Sequence, residues 1–284
     1  MARRVALVSD STSVHAELAT RLDAIVVPLQ VTIDQRSYDE GDADASPAAV
    51  ARALESHQQV STSRPAPERF AQVYRDAAVA GAEAVLSIHL SSEVSGTFES
   101  ALLAARDVDV EVVVVDSRQL GMATGFAVAA AAAALDGGAT ASEAGEIARR
   151  RAEATTGLFY VDTLEFLRRG GRVGTAAALV GSALSVKPLL EVAGGLIVPL
   201  DRVRTASRAL TRLEELAVAA AGEHYVDVAV SHLGSPDRAE SLAQKLAARI
   251  PQAREVVVTE VGPVIGAHVG PGMIAVVIAP HPAG

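Results

Sequence analysis

The stretch VLSIHLSSEVSGTFESA, residues 85–101, decides the fold predicted for this chain. It begins as an apolar run typical of a buried strand, and from Gly96 onward its apolar residues recur at the spacing of a helix. Small hydroxyl residues, including Ser95 and Thr97, lie between the two. A strand that passes into a helix through such a turn leaves backbone N–H groups free at its carboxyl end, and these donors favour an anion. The alternative is an ordinary turn in which the hydroxyl side chains cap the helix.

Two further polar turns follow predicted strands in the first half of the chain. The apolar run Val5–Val8 leads into the hydroxyl-rich residues 9–13, and the β-branched run Glu111–Val115 leads into Asp116 and Ser117. A further strand is predicted at Ile25–Val31. Because strands alternate with helices here, we predict right-handed βαβ units and a mostly parallel sheet with flanking helices. Ligands of such sheets gather at the carboxyl ends of the strands, so the three turns together favour a binding site.

The pattern changes after about Thr156. Val186–Val192 and Leu196–Val203, joined by a glycine-rich turn, predict a β-hairpin, and the segments that follow predict an α+β arrangement with a mixed sheet. We therefore predict an α/β protein of two domains, residues 1–155 and residues 156–284.

Composition excludes several classes of function. The 284-residue chain has a net charge of −9, which argues against nucleic acid or an anionic membrane as a partner. It has no cysteine, and its seven histidines form no HExxH motif or close pair, so we expect no metal site. The longest apolar run, Phe126–Leu135, is shorter than the roughly 20 residues that span a bilayer. The N-terminus lacks the apolar segment of a signal peptide, and we predict a cytoplasmic protein.

Two hydroxyl residues, Thr62 and Ser63, precede Pro65 at a predicted helix start. Their side chains can cap that helix, or Thr62 can turn its hydroxyl toward a ligand oxygen.

A basic segment extends from Arg168 to Arg212 and contains eight lysines or arginines against two acidic residues. It begins with Arg168, Arg169 and Arg172 around two glycines. This segment is either a solvated basic face or a docking surface for an acidic or phosphorylated partner.

His268 is the only titratable residue in the glycine- and proline-rich segment Val261–Gly272. A lone histidine either makes structural hydrogen bonds or serves a site. The chain has no phosphate-binding loop, and Ser95 does not lie in a GxSxG motif. A nucleophile pair of Ser95 and His268, as in a hydrolase or acyltransferase, stays open as an alternative.

Taken together, these motifs resemble the DegV family of bacterial fatty-acid-binding proteins, which includes the acyl-carrier subunits of fatty acid kinase. The matching stretches run in family order over nearly the whole chain: VALVSDSTS at the start, STSRPAP at 61–67, SSEVSGTFESA at 91–101, VVDSRQLGMATG at 114–125, FYVDTLEFLRRGGRVGTAAALVGSALSVKPLLEV at 159–192, IVPLDRVRTASRAL at 197–210 and GPVIGAHVGPG at 262–272.

The resemblance implies a two-domain DegV-like fold that holds one long-chain fatty acid, such as palmitate, between its domains. It implies a carboxylate held by Thr62 and Ser95, with Arg172 and His268 near the head group. Their neighbours Ser63 and Gly96 complete the candidate ligand-binding residues.

The resemblance also implies a lipid-binding carrier that does no chemistry itself and needs no cofactor besides its bound fatty acid. A separate ATP-dependent kinase subunit would phosphorylate the bound acyl group, in a role in lipid transport or fatty acid metabolism. A lipid-sensing regulatory protein that acts through the basic segment is a further alternative. The small apolar stretch Ala176–Leu184 could line the fatty-acid tail, and Glu93 stands where the family usually has glycine.

Overall fold

The computed structural model describes residues 3–179 and 186–281. Its strands are β1 (Val5–Asp10), β2 (Ala24–Val27), β3 (Gln30–Ile33), β4 (Arg36–Asp39), β5 (Val60–Ser63), β6 (Ala84–His89), β7 (Glu111–Asp116), β8 (Thr156–Tyr160), β9 (Lys187–Ala193), β10 (Leu196–Val203), β11 (Val226–His232), β12 (Ala253–Glu260) and β13 (Ile274–Pro280). Its helices are α1 (Ala16–Leu22), α2 (Pro47–Glu55), α3 (Pro67–Val79), α4 (Thr97–Ala104), α5 (Met122–Asp136), α6 (Ala141–Ala154), α7 (Glu165–Arg169), α8 (Ala206–Ala221), α9 (Pro236–Arg249) and α10 (Pro263–Val269).

The first of two compact units contains Met1–Gln30 and Ser63–Ala154. Its four strands form a parallel sheet in the order β2-β1-β6-β7. Helices α3 and α4 pack on one face of this sheet, and α5 and α6 pack on the other. At Gly145 in α6 an added Cβ would lie 3.3 Å from side chains of β6 and β7, so glycine lets this helix approach the sheet closely.

The second unit contains Val31–Thr62 and Thr155–Gly284. Its six-stranded sheet has the order β10-β9-β8-β13-β11-β12, in which only the β11–β12 pair is parallel. Helices α8 and α9 bury Leu213 and Leu246 against this sheet, where Tyr160 is also fully buried. The small sheet β4-β3-β5 belongs largely to this unit.

The predicted fold class is confirmed, since a parallel sheet with flanking helices precedes a mixed sheet in an α+β arrangement. The predicted hairpin is present as the antiparallel pair β9–β10. The predicted strand Ile25–Val31 is wrong, because this stretch contains parts of β2 and β3, which belong to different sheets. Pro28 separates them, and a proline has no N–H to continue a ladder of hydrogen bonds.

The grouping of residues 31–62 differs from the predicted domains. The sequence predicts two contiguous stretches, 1–155 and 156–284, whereas the contacts group residues 31–62 with the second unit. The reason is packing, since α2 lies against α10. The chain therefore passes from one unit to the other three times.

Candidate functional site

Thr62 and His268 meet in the second unit. Thr62 lies half-buried in β5, and His268 lies in the last turn of α10. Oγ1 of Thr62 is 2.8 Å from Nε2 of His268, although 206 residues separate the two in the chain. The capping interpretation of Thr62 is wrong, because α3 begins after Ala66 and receives no side-chain cap there.

Helix α10 is fixed at its start by Glu40, which precedes α2. Oε1 of Glu40 accepts a hydrogen bond of 3.0 Å from the backbone N–H of Val264. Gly262 leaves the space for this carboxylate, since an added Cβ there would overlap it. The glycine-rich segment around His268 therefore contains a short helix, whose first turn is bound by Glu40 and whose last turn is bound by Thr62.

The imidazole of His268 is packed against the backbone of Gly170. Nδ1 is sealed from solvent and has no hydrogen-bond partner among the described residues. An added Cβ at Gly170 would overlap this nitrogen. Burial and the nearby charge of Arg172 lower the pKa of His268 to about 4, so the ring is neutral at neutral pH.

The side chain of Arg172 is also directed at the backbone of Gly170, beside His268. Its Nη1 donates a hydrogen bond of 2.5 Å to the carbonyl oxygen of Gly170, and its side chain is half-buried. Arg169 pairs instead with Glu165 within α7. The start of the basic segment is thus partly helical, and Arg172 is the arginine there whose charge acts on His268.

A cavity of about 680 Å³ opens beside these residues within the second unit. Thr62, His268 and Arg172 line it together with Phe166, Arg169 and Gln58, among others. Two arginines and no carboxylate contribute to its lining in the described part of the chain. Because Arg169 is paired with Glu165, Arg172 is the side chain whose charge suits this cavity to a negatively charged ligand.

The first unit contains the Ser95 turn. Oγ of Ser95 is 2.9 Å from Oγ1 of Thr97, and both Ser95 and Gly96 are half-buried. The cap of α4 is Gly96, and no side chain of a described residue binds the first backbone N–H groups there. The capping interpretation is therefore wrong here as well, and the first turn of α4 keeps free donors.

Arg64 is a candidate residue that sequence reasoning missed. Its Nη1 donates to the carbonyl oxygen of Gly96 at 3.2 Å, and the guanidinium occupies the space that a Cβ on Gly96 would need. The signal was available, because a positive charge stands between hydroxyls and a proline in the STSRPAP motif. The neighbouring Ser63 is exposed, and its hydroxyl donates to Oε1 of Gln30 at 3.3 Å.

Glu93 is exposed in the Ser95 turn and has Oε1 3.6 Å from Nη2 of Arg118. Its charge is therefore partly compensated by a neighbouring side chain.

The first unit contains a hydrogen-bonded chain of serine, histidine and aspartate side chains, in which the serine is Ser87 and not Ser95. Oγ of Ser87 is 2.7 Å from Nε2 of His89, and Nδ1 of His89 is 3.1 Å from Oδ2 of Asp10. All three residues are fully buried, and the hydroxyl of Tyr74 donates to Oγ of Ser87 at 2.9 Å. No substrate can reach this serine, so the chain of hydrogen bonds is structural.

Ser95 and His268 each have other partners. The hydroxyl of Ser95 pairs with Thr97, and Nε2 of His268 pairs with Thr62. These contacts give no support to a Ser95–His268 nucleophile pair.

Within residues 3–179 and 186–281, no group of three or more His, Asp or Glu side chains is arranged to hold a metal ion. In the same residues, no helix combines the length and the apolar character needed to cross a membrane.

These features define the chain as an α/β protein of two units. The second unit has a cavity lined by Thr62, His268 and Arg172 that suits an anion, and the first unit has free backbone donors at the start of α4. The sequence model of the DegV family of uncharacterised proteins matches residues 4–281, and the chain belongs to this family. The predicted resemblance is therefore confirmed. A DegV domain-containing protein of Streptomyces coelicolor is 50% identical over 280 residues, which are 98% of this chain and 99% of that relative.

Solved structures are similar over the whole chain. A DegV family protein from Thermus thermophilus, described as binding fatty acid, has 32% identity and a TM-score of 0.92, covering 98% of this chain and 100% of its own. DegV from Bacillus subtilis, described as a fatty acid binding protein, has 30% identity and a TM-score of 0.89. The match covers 99% of this chain and 100% of that protein's chain.

Proposed function

We propose that this protein binds a long-chain fatty acid and presents its carboxylate. The observation that carries the proposal is the Thr62–His268 pair beside Arg172, in a cavity whose described lining has no carboxylate. Membership of the DegV family and the likeness to two structures described as fatty-acid-binding support the same function.

The protonation of His268 explains how Thr62 would serve the head group. The ring is neutral at neutral pH, and its Nδ1 has no partner among the described residues. We place the single ring hydrogen on Nε2, where Thr62 accepts it. The hydroxyl hydrogen of Thr62 is then free to donate to a carboxylate oxygen, while Arg172 supplies positive charge. Ser95 and Gly96 are retained as further donors to the ligand.

The acyl tail would supply most of the binding energy. Burial contributes roughly 0.8 kcal/mol per CH₂, so a chain of about 16 carbons is held mainly by apolar contacts. The stretch 176–184 was predicted to line the tail, and its residues 180–184 lie outside the described residues.

Native mass spectrometry of the protein purified from a bacterial host tests the proposal. We expect an additional mass in the range of long-chain fatty acids. After removal of lipid, a fatty acid should bind again, whereas the alcohol of equal chain length should bind at least tenfold more weakly because it has no carboxylate. Equal binding of acid and alcohol would contradict the head-group site, and ester hydrolysis without ATP would favour the hydrolase or acyltransferase.

We further propose that an ATP-dependent kinase uses the bound carboxylate to form an acyl phosphate. The chain has no phosphate-binding loop of its own, so the phosphate donor must come with a partner. Within the basic segment, Arg212 is paired with Asp201 at 2.8 Å, but Arg202 and Arg204 are exposed and hold no ion pair among the described residues. Guanidinium groups such as these suit an acidic or phosphorylated partner.

Reversing the charge of both Arg202 and Arg204 to glutamate should leave fatty-acid binding intact and cut acyl-phosphate formation by a reconstituted kinase at least tenfold. Raising the ionic strength should weaken the wild-type reaction in the same direction, because exposed charges are screened beyond about 8–10 Å. The matched control reverses Arg149 and Arg150, which are exposed or half-exposed on α6 in the first unit. Full turnover by the Arg202/Arg204 variant would disprove the docking surface.

A further inference from the structure

One carboxylate binds the turn from Ser91 to Ser95, and a second binds Leu90, the residue that enters it. It follows β6, which lies between β1 and β7 in the parallel sheet. Asp10 is the last residue of β1, and Asp116 is the last residue of β7. The two carboxylates therefore flank the turn at the carboxyl edge of the sheet.

Asp116 binds the turn through Ser92. Its Oδ1 accepts the backbone N–H of Ser92 at 3.2 Å, and its Oδ2 accepts the hydroxyl of the same residue at 2.6 Å. Oδ1 also accepts the N–H of Arg118 at 2.8 Å. One side chain thus fixes both the backbone and the side chain of Ser92.

Asp10 binds the residue that enters the turn. Its Oδ2 accepts the N–H of Leu90 at 3.0 Å, and its Oδ1 accepts the hydroxyl of Thr12 at 2.6 Å. Burial alone would raise the pKa of Asp10, but hydrogen bonds from His89, Thr12 and Leu90 outweigh it and hold the pKa below its ordinary value. His89, Thr12 and Leu90 therefore keep the carboxylate of Asp10 ionised as a hydrogen-bond acceptor.

The rest of the turn is built on Ser91. Its N–H donates to the carbonyl oxygen of Gln119 at 2.9 Å. Its own carbonyl oxygen accepts the N–H groups of Val94 at 3.3 Å and Ser95 at 3.2 Å. The position of Ser95 therefore depends on three consecutive residues, 90–92, whose N–H groups are all bound by the neighbouring strand ends and loop.

We propose that Asp116 and Asp10 are positioning residues, which hold the Ser91–Ser95 turn in the conformation that offers Ser95 to the ligand carboxylate. This inference rests on the proposed function. Neither side chain would touch the fatty acid, and the two act through the hydrogen bonds of residues 90–92.

The test is a double-mutant cycle between Asp116→Ala and Ser95→Ala, with fatty-acid affinity measured by calorimetry. Each single variant should weaken binding by about tenfold, the loss of one hydrogen bond to a charged group. If Asp116 acts through Ser95, adding Asp116→Ala to Ser95→Ala should change affinity less than twofold. Asp116→Asn should bind nearly as wild type, because its amide can still accept the N–H of Ser92 and donate to the Ser92 hydroxyl.

Glu143→Ala is the matched control, because Glu143 accepts the N–H and the hydroxyl of Thr140 at 2.9 and 2.8 Å in the same unit. It should leave affinity unchanged. Amide hydrogen exchange gives a readout without ligand, and Asp116→Ala should speed exchange at Val94 and Ser95.

The outcomes separate this inference from the proposed function. Wild-type affinity in Asp116→Ala, with a weakened Ser95→Ala variant, would overturn the positioning role alone. Additive effects of the two substitutions in the cycle would show that Asp116 has a merely structural role, and would also overturn the positioning role. A wild-type protein that binds no fatty acid would overturn the proposed function and this role with it, whatever hydrogen exchange shows of the turn.

Discussion

Replacing Gly170 with alanine should weaken fatty-acid binding by about tenfold to a hundredfold. The added Cβ would overlap Nδ1 of His268, so the imidazole must shift, which disturbs its contact with Thr62 through Nε2. The backbone itself tolerates alanine, because φ at Gly170 is −74°. The expected loss corresponds to roughly 1.5–3 kcal/mol for a hydrogen bond to a charged group, with 1.4 kcal/mol for each tenfold.

Gly171→Asn is the control for this prediction. An added Cβ at Gly171 meets no atom within 4 Å, and asparagine tolerates its φ of +72° better than most residues do. Calorimetry should show near wild-type affinity for Gly171→Asn, and the NMR signals of the His268 ring should shift only in Gly170→Ala. Unchanged affinity in Gly170→Ala, together with a displaced ring, would remove His268 from the head-group site.

Thr62→Val should have an effect of similar size. Valine keeps the shape of threonine and the β-branched character that suits β5, but it has no hydroxyl to accept from His268 or to donate to a carboxylate. We expect affinity to fall by about ten- to a hundredfold, which is the value of a charge-assisted hydrogen bond. The thermal midpoint should change little by comparison, since Thr62 is only half-buried.

Two companion variants sharpen this measurement. Thr62→Ser restores the hydroxyl and should recover most of the affinity. Thr211→Val removes a hydroxyl that donates to the carbonyl oxygen of Ser207 within α8 and should leave affinity unchanged. If Thr62→Val binds as tightly as the wild type, Thr62 does not hold the carboxylate.

Local sequence patterns were enough to predict the Ser95 turn. A strand, a polar turn and a helix follow one another within residues 84–104, and each is recognised from neighbours a few positions away. The hairpin of β9 and β10 was predicted for the same reason, because its two strands flank a glycine-rich turn.

The pairing of Thr62 with His268 could not be predicted from residue patterns. A hydroxyl shortly before a proline is also the pattern of a helix cap, and nothing local shows that the side chain turns to a residue 206 positions away. Helix α10 was missed because its seven residues lie among glycines and prolines, which usually mark loops. Only the family resemblance placed Thr62 and His268 near one head group.

The grouping of residues 31–62 with the second unit could not be predicted either, for a related reason. Strands β3, β4 and β5 have four residues each and carry too few apolar residues to show a clear alternation. Whether such strands join one unit or another depends on packing partners far away in sequence, such as α10 for α2. Neither the composition nor the periodicity of apolar residues indicates which unit these strands join.

The division of the second unit between two parts of the chain has a consequence for its synthesis. Residues 31–62 leave the ribosome early, while the residues with which they pack are still to be made. The hydroxyl of Thr62 can contact His268 only after α10, near the carboxyl end, has been synthesised. A polypeptide that stops short of α10 would lack this pair entirely, so an incomplete translation product would be unable to sequester lipid through it.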